Sequence, residues 1–386
     1  MITKIQQPNV SRGCKGKTRY MPLNKPVKIS PVFLILILLF FPIIVSGQDF
    51  SVKSYTVMDG LPSSTIHGIT QDNLGRLWFA SRNGISVYDG YTWKTYTKKD
   101  GIGGNEYLAV VSDNMGNIWG VSRANYVQLI RFSHKTFKVY RSGPLDILQK
   151  ESLVNKNLSV YCSKNDTVAM VAIGKEGIAA YRNGKWITLT TVEGLPSNEI
   201  RDIKLKEGMF YILTSKGIAV ADKNLKLQPY NISIPESDLA DFWSIHWETK
   251  ESAGKERLWI LGTSFISAVE NGAYSKRIKN IELGEMTRSD TPRFFPSFYG
   301  LFFYGTARNL FMYNEKDGKI SFLSNQRNSV FSGLNGVIKD KEENLWIISQ
   351  RGVFKIRIPK FTNFNSSSGL LKDEVTAITH RENKIV

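Results

Sequence analysis

Cysteine and histidine are scarce in this 386-residue chain: two cysteines, Cys14 and Cys162, and four histidines, His67, His134, His246 and His380. That excludes a disulfide framework and a cysteine-only zinc site, and leaves little material for a histidine-rich metal centre. Long apolar runs are also rare. The one candidate, Val32–Val45, has fourteen residues interrupted by Pro42 and spans about 21 Å as a helix, short of the roughly 30 Å bilayer core. No stretch after residue 48 keeps a helical periodicity, and residues 141–157 are a partial exception that suits an inserted loop or helical turn. Gly-x-Ser-x-Gly, His-Glu-x-x-His and phosphate-cradling patterns are missing.

The chain is basic, with 51 Lys+Arg against 34 Asp+Glu. Seven of those cations fall within residues 1–47, which hold no acid; setting them aside leaves 44 against 34, spread without a basic block. This is a basic surface rather than a nucleic-acid arm, and no nucleic-acid partner is expected. A basic leader, the short apolar run and Ser46-Gly47 describe a signal peptide over residues 1–47, with a signal anchor as the competing reading. Cleavage near Gly47 would leave Cys162 alone, better suited to packing than to reaction.

A repeat organises the remainder. Asp59-Gly60-Leu61-Pro62-Ser63-Ser64 returns as Asp100-Gly101-Ile102, as Glu193-Gly194-Leu195-Pro196-Ser197 and weakly as Ser368-Gly369-Leu370. Between recurrences lies Asp72-Asn73-Leu74-Gly75-Arg76-Leu77-Trp78, echoed at Asp113–Trp119 and Asp340–Trp346. Anchoring on that tryptophan gives Trp78, Trp119, Val171, Tyr211, Trp259, Phe303 and Trp346, at intervals of 41, 52, 40, 48, 44 and 43 residues. Six residues beyond each anchor stand Gly84, Asn125, Gly177, Gly217, Phe265, Asn309 and Gly352, almost all types that accept a left-handed turn. In the first unit four strands are expected at Ile66–Gln71, Arg76–Ser81, Ile85–Tyr88 and Thr92–Tyr96.

Four-stranded units of this length, repeated, predict an all-β, seven-bladed β-propeller over residues 48–369, because a lone blade leaves both faces uncovered and radial packing covers them. Two segments compete to close the ring as its last outer strand, Phe50–Val57 and Phe361–Phe364. Val375–Ile378 reads as another first strand, so residues 370–386 are expected to begin a second propeller in a longer protein.

The pattern DGLPSS…QDNLGRLWFAS-RNGISVYDG…W-KTY resembles the two-component regulator propeller repeat, over roughly residues 50–386. The resemblance implies the periplasmic sensor region of a hybrid two-component histidine kinase. Such sensors carry two propellers, a β-sandwich, a membrane helix and a cytoplasmic kinase, and respond to oligosaccharides. A homodimer through the sensor region, and membrane attachment only through the full-length protein's anchor, are the partners it implies. No kinase pattern occurs in this stretch.

Antiparallel order puts the links between units and the second-to-third-strand turns on one face. Those turns carry Arg82 with Asn83, Arg123, Lys175, Lys216, Arg308 and Arg351; only the fifth unit, Gly262-Thr263-Ser264, lacks a cation. Convergence of these charges would favour an anionic ligand, hence an acidic or sulfated glycan. The competing reading is that exposed turns simply carry long polar side chains. Trp93 and Trp186 suit outer-strand packing, and Trp243 and Trp247, flanking His246, suit core packing more than sugar stacking. Glu248/Glu251 and Asp238/Asp241 read as solvated loop carboxylates, and His67 as a channel-facing histidine without a carboxylate partner. No catalytic residue, metal or cofactor is expected. A secreted glycan-cleaving propeller enzyme and a non-catalytic interaction scaffold are the alternatives to a sensor.

Overall fold

The computed structural model describes residues 51–123, 127–140, 154–173, 175–249, 256–263, 265–279, 293–298, 301–305, 310–314, 319–322, 333–357, 380–381 and 384–385. Strand β1 is Ser51–Tyr55. The first blade is β2–β5 (Ile66–Gln71, Leu77–Ser81, Gly84–Tyr88, Trp93–Tyr96), the second β6–β9 (Glu106–Ser112, Ile118–Arg123, Val127–Ser133, Thr136–Tyr140). The third is β10–β13 (Val154–Cys162, Thr167–Ile173, Ile178–Arg182, Lys185–Leu189), the fourth β14–β17 (Ile200–Lys206, Met209–Thr214, Gly217–Ala221, Leu227–Pro229). The fifth is β18–β21 (Phe242–Thr249, Glu256–Gly262, Phe265–Glu270, Ala273–Lys279), the sixth β22–β25 (Arg293–Phe298, Leu301–Gly305, Leu310–Asn314, Lys319–Phe322). The last comprises β26–β28 (Leu334–Lys339, Leu345–Ser349, Gly352–Arg357).

Each blade is an antiparallel, four-stranded sheet. Six use four consecutive strands; the remaining one is composite, ordered β1-β28-β27-β26. The first strands of successive blades touch in turn, β2 to β6, β10, β14, β18, β22 and β26, and β26 touches β2 again. The ring is closed. Of the two candidate closing segments, the N-terminal one pairs, with Ser51 opposite Arg357 and Tyr55 opposite Val353; Phe361–Phe364 lies outside the described residues. So do the leader, residues 1–47, and the unit boundary at 369–370. Of residues 370–386, a short hairpin pairs β29 (His380–Arg381) with β30 (Lys384–Ile385). In the segment read as a possible insertion, residues 154–157 already belong to β10.

Blades pack through the aromatic slot. Trp78, Trp119, Val171, Trp259 and Trp346 are almost fully buried, and the apolar clusters they join draw on two neighbouring blades: Trp78 packs with Tyr107, Ile118 and Phe132 of the second blade. Burying such a ring contributes about 3 kcal/mol by comparison with its truncation to alanine. Three slots add a polar lock. Trp78 Nε1 donates to Asp72 Oδ2 at 2.9 Å, Trp119 Nε1 to Asp113 Oδ2 at 2.7 Å and Trp346 Nε1 to Asp340 Oδ2 at 2.7 Å. The same carboxylates accept backbone N–H groups of their own turns, Leu74 and Arg76 for Asp72. Where no aspartate stands six residues earlier, the slot is Val171, Tyr211 or Phe303, which have no indole N–H to satisfy. Trp259 is the exception, and donates to Glu248 Oε2 at 2.9 Å instead.

The Gly-Leu-Pro links are also structural. Thr56, Thr97 and Thr190 exchange side-chain and backbone bonds with Asp59, Asp100 and Glu193. In the first two of these links a single 3-10 turn then ends on left-handed Gly60 or Gly101. Each link thereby drives Leu61, Ile102 or Leu195 into the core.

Candidate functional site

Most inner strands carry an irregularity near their start, whereas in β22 the register shift falls toward the end, between Phe295 and Phe298. Pairing with the next strand skips one residue between Ile66 and Gly68, Tyr107 and Ala109, Ile200 and Asp202, Phe242 and Ser244, and Leu334 and Gly336. The third blade has a longer break, between Val154 and Leu158. A β-bulge leaves its extra residue out of the ladder and re-aims its side chain. The residues so released are His67, Leu108, Arg201, Trp243 and Asn335, with Asn157 in the longer break. All six line one cavity of about 220 Å³ at the ring's centre.

The bulge residues reach from blade to blade. Asn157 donates from Nδ2 to the Arg201 carbonyl at 2.7 Å. Arg201 donates from Nη1 to the carbonyls of Ala240 and Phe242, at 2.6 and 2.5 Å, and its guanidinium lies 4.4 Å from the Trp243 ring centre. Asn335 donates to the Ile66 carbonyl at 2.6 Å. His67 Nε2 lies 4.0 Å from Glu106 Oε1, so this histidine does have a carboxylate neighbour, one blade away and invisible to a search along the chain. At that distance the two are not hydrogen-bonded.

Two cations, Arg201 and Lys204, and one carboxylate, Asp202, are the charged groups among the described residues lining the cavity. Arg201 is matched by Glu199 at 3.4 Å and Lys204 by Asp202 at 3.2 Å. Asp202 Oδ2 also accepts from Ser244 Oγ at 2.8 Å and Ile245 N–H at 3.0 Å. Behind this pair His246 is pushed down to about 4, by burial first and then by Lys204, with Asp202 opposing. Two donors stay unsatisfied: Arg201 Nε and Trp243 Nε1 are buried without a hydrogen-bond partner among the described residues.

None of the turn cations whose side chains are described, Arg82, Lys175, Lys216 and Arg351, lines this cavity. Arg82, Lys175, Lys216 and Arg351 are exposed on their turns, and Asn83 is exposed but tied by Nδ2 to the Pro62 carbonyl at 2.9 Å. That bond, with Ser215 Oγ against Ser197 Oγ at 2.9 Å, puts turns and links on a common face. Arg123 ends β7 with its side chain outside the described set, and Arg308 lies outside the described residues.

Two other expectations need correction. Glu248 and Asp238 are not solvated loop carboxylates: Glu248 sits in β18 under Trp259 and Arg257, and buried Asp238 accepts from Tyr274 OH at 2.9 Å. Of the fifth-blade tryptophans, Trp247 packs against Tyr211 and Tyr230, but Trp243 faces the cavity. The sequence signal for the bulges was a large anchor, a variable residue and a small one: Ile66-His67-Gly68, Tyr107-Leu108-Ala109, Phe242-Trp243-Ser244, Leu334-Asn335-Gly336. At Gly68 the neighbouring inner strand comes close, a Cβ there standing 3.1 Å from the Val110 nitrogen, whereas the fourth blade holds Asp202 at the same position.

Residues 60–83 match the family described as two component regulator propeller. Histidine kinase P4 of Formosa agariphila is 38% identical over 63 residues, which are 16% of this chain and 5% of that protein. Among solved structures, the extracellular domain of the hybrid two component system BT4673 from B. thetaiotaomicron superposes with TM-score 0.58 at 16% identity, covering 83% of this chain and 41% of that one. The corresponding domain of BT3049 gives TM-score 0.56 at 19% identity, covering 87% and 46%. At these identities the structures speak for the fold, and the chain spans less than half the length of each.

Proposed function

We propose that this chain, which carries the two component regulator propeller repeat at residues 60–83, is the extracytoplasmic ligand-sensing propeller of a two-component sensor. It detects an oligosaccharide and signals to a kinase module elsewhere in the protein, the ring being seven-bladed and followed by a second propeller. The observation that carries the reading is convergence. The inter-blade links, the cation-bearing turns and the bulged starts of the inner strands all gather at one face. A cavity of about 220 Å³ is below the ~300 Å³ of pockets that enclose a drug-sized ligand, so a chain of sugars would lie across this face rather than inside the ring. Exposed Arg82, Lys175, Lys216 and Arg351, with Arg123 and Arg308 on the equivalent turns, would contact acidic or sulfated units there. A ligand bridging two protomers would shift their relative placement and so pass the signal.

The test has two arms. Purified chain is heated with neutral, uronic-acid and sulfated oligosaccharides, and a ligand should raise Tm in a concentration-dependent way. Cells carrying the full-length protein should then induce their response genes on that glycan and fail to do so with Arg82, Arg123 and Arg351 replaced by alanine. Stabilisation by no glycan, together with an unchanged transcriptional response in a deletion strain, would remove the reading.

A further inference from the structure

We propose that the face of the ring opposite the links docks directly on an anionic phospholipid bilayer. Leu74 and Met115 enter the headgroup layer, and an arc of lysines on the second to fourth blades meets the lipid phosphates. The inference goes beyond the sensor reading and does not depend on it.

Hairpins build this face. Turns joining the first and second strands of a blade, and its third and fourth, lie at the strand ends away from the links. They touch from blade to blade. Lys341 Nζ donates to the Asp72 and Asn73 carbonyls at 3.2 and 2.8 Å, and a Cβ on Gly116 would meet the Asn73 side chain at 2.8 Å. Asn114 Oδ1 accepts from the Cys162 N–H at 3.0 Å, and Arg182 Nη2 donates to Asn224 Oδ1 at 2.7 Å.

Three observations carry it. The first is apolar exposure. Leu74 and Met115 hold the same position on touching turns of the first two blades and are 78% and 55% exposed, and Tyr91, on the first blade's other turn, is 93% exposed. Single exposed apolar residues are ordinary, but two side by side form a patch, and a tyrosine beside them suits the headgroup level.

The second is charge. Lys135, Lys164, Lys185, Lys223 and Lys226 are exposed on these turns of the second, third and fourth blades. Of the carboxylates on the same turns, Asp113 is buried. Asp166 is held by Arg182 at 3.4 Å and Asn183 at 2.8 Å, and Asp222 by the N–H groups of Asn224 and Lys226 at 2.8 and 2.9 Å. Exposed Glu207 is the one that remains. Lysines in such excess beside apolar side chains match an anionic lipid surface. The link face lacks this pairing: exposed Met58 and Val192 stand on links that are not adjacent, each next to an exposed carboxylate, Asp59 or Glu193, which anionic lipid would repel.

The third is the path of the chain. Ser51, where β1 begins, stands opposite Arg357, where β28 ends, and the preceding Ile356 stands opposite Leu345, just past the first turn of that blade. The chain therefore enters and leaves the closed ring on this face. Lipid docking here leaves the links and the exposed turn cations pointing away from the bilayer.

The experiment uses the chain from Gln48 onward, which keeps every strand of the closed ring and omits the apolar leader. It is sedimented with vesicles of phosphatidylcholine alone and with vesicles of equal parts phosphatidylcholine and phosphatidylglycerol. The mixed vesicles should bind it, the neutral ones should not, and binding should weaken as salt is raised. Leu74→Ser with Met115→Ser should weaken binding about ten-fold. Lys164→Gln with Lys223→Gln and Lys226→Gln should weaken it about a hundred-fold. All five side chains are exposed, so Tm should stay at the parent's value. Two link-face controls, Met58→Ser with Val192→Ser and Lys98→Gln with Lys99→Gln, should bind as the parent does. Failure to bind the mixed vesicles, equal binding to the neutral ones, parental binding by either docking-face variant, or loss of binding in the link-face controls would each overturn the proposal.

Discussion

Asn335 donates from Nδ2 to the carbonyl oxygen of Ile66, 2.6 Å away, across 269 residues of chain. The bond stands at the seam where the last blade meets the first. Beside it Tyr55 of β1 stacks on Trp346 with ring centres 5.5 Å apart. The closing strand is thus held by its ladder with β28 and by an aromatic stack, while Asn335 ties the inner strands β26 and β2 on either side of the seam. Four outcomes follow from this seam and from the locks elsewhere in the ring.

Gly352 has φ +129°, and a Cβ there would sit 2.5 Å from the Tyr55 carbonyl oxygen. Gly352→Ala should therefore displace β1 and cost about 3 kcal/mol. Urea unfolding measures the cost, and limited proteolysis should release the N-terminal strand first. A variant as stable and as protease-resistant as the parent would show that β1 does not close the ring.

Replacing Asn335 by leucine keeps its size and removes the donor. The Ile66 carbonyl loses its side-chain bond, and stability should fall by about 1–2 kcal/mol. Chemical denaturation reads this directly; no change would mean that the seam rests on the β1–β28 ladder alone.

Asp113 is buried and accepts from Trp119 Nε1, Asn117 Nδ2 and the N–H groups of Met115 and Asn117. Asp113→Ala leaves these donors without that acceptor and should destabilise by about 3 kcal/mol, more than Trp119→Phe, which leaves the carboxylate its other bonds. Comparing both midpoints by urea denaturation decides it, and the reverse order would contradict the lock.

His246 is held down at about 4, whereas a histidine in an unfolded chain titrates near 6.5. Between those values the unfolded chain binds a proton that the folded chain refuses, so stability rises with pH. The contribution is whole above about pH 6.5 and is lost as pH falls toward 4, up to about 3 kcal/mol in all. His246→Gln should flatten that part of the profile, seen as a smaller difference between midpoints at about pH 4.5 and about pH 7. An unaltered slope would assign the acid sensitivity to other groups.

The repeat was legible because its cause is local. Period-2 apolar runs, the Asp…Trp spacing and left-handed glycines each act within a dozen residues, so Ile66–Gln71 and Trp93–Tyr96 appear as strands in both sequence and structure. The Thr partner of each Asp-Gly or Glu-Gly link is equally local, with Thr56, Thr97 and Thr190 standing three residues before the acid. The turn cations form a series in the sequence, and the structure puts the described ones in solvent, away from the cavity.

What the sequence determined by itself is therefore the blade: its four strands, its tight turns and the buried ring that asks for a neighbour. The tertiary structure decided which segment closes the circle and which polar groups face inward. Both depend on residues far apart in the chain meeting, Tyr55 with Val353 inside the composite blade and His67 with Glu106 across two blades. The physical reason is that a bulge turns one side chain out of its ladder, and its new neighbours belong to a different repeat. No pattern read along a single repeat encodes that meeting.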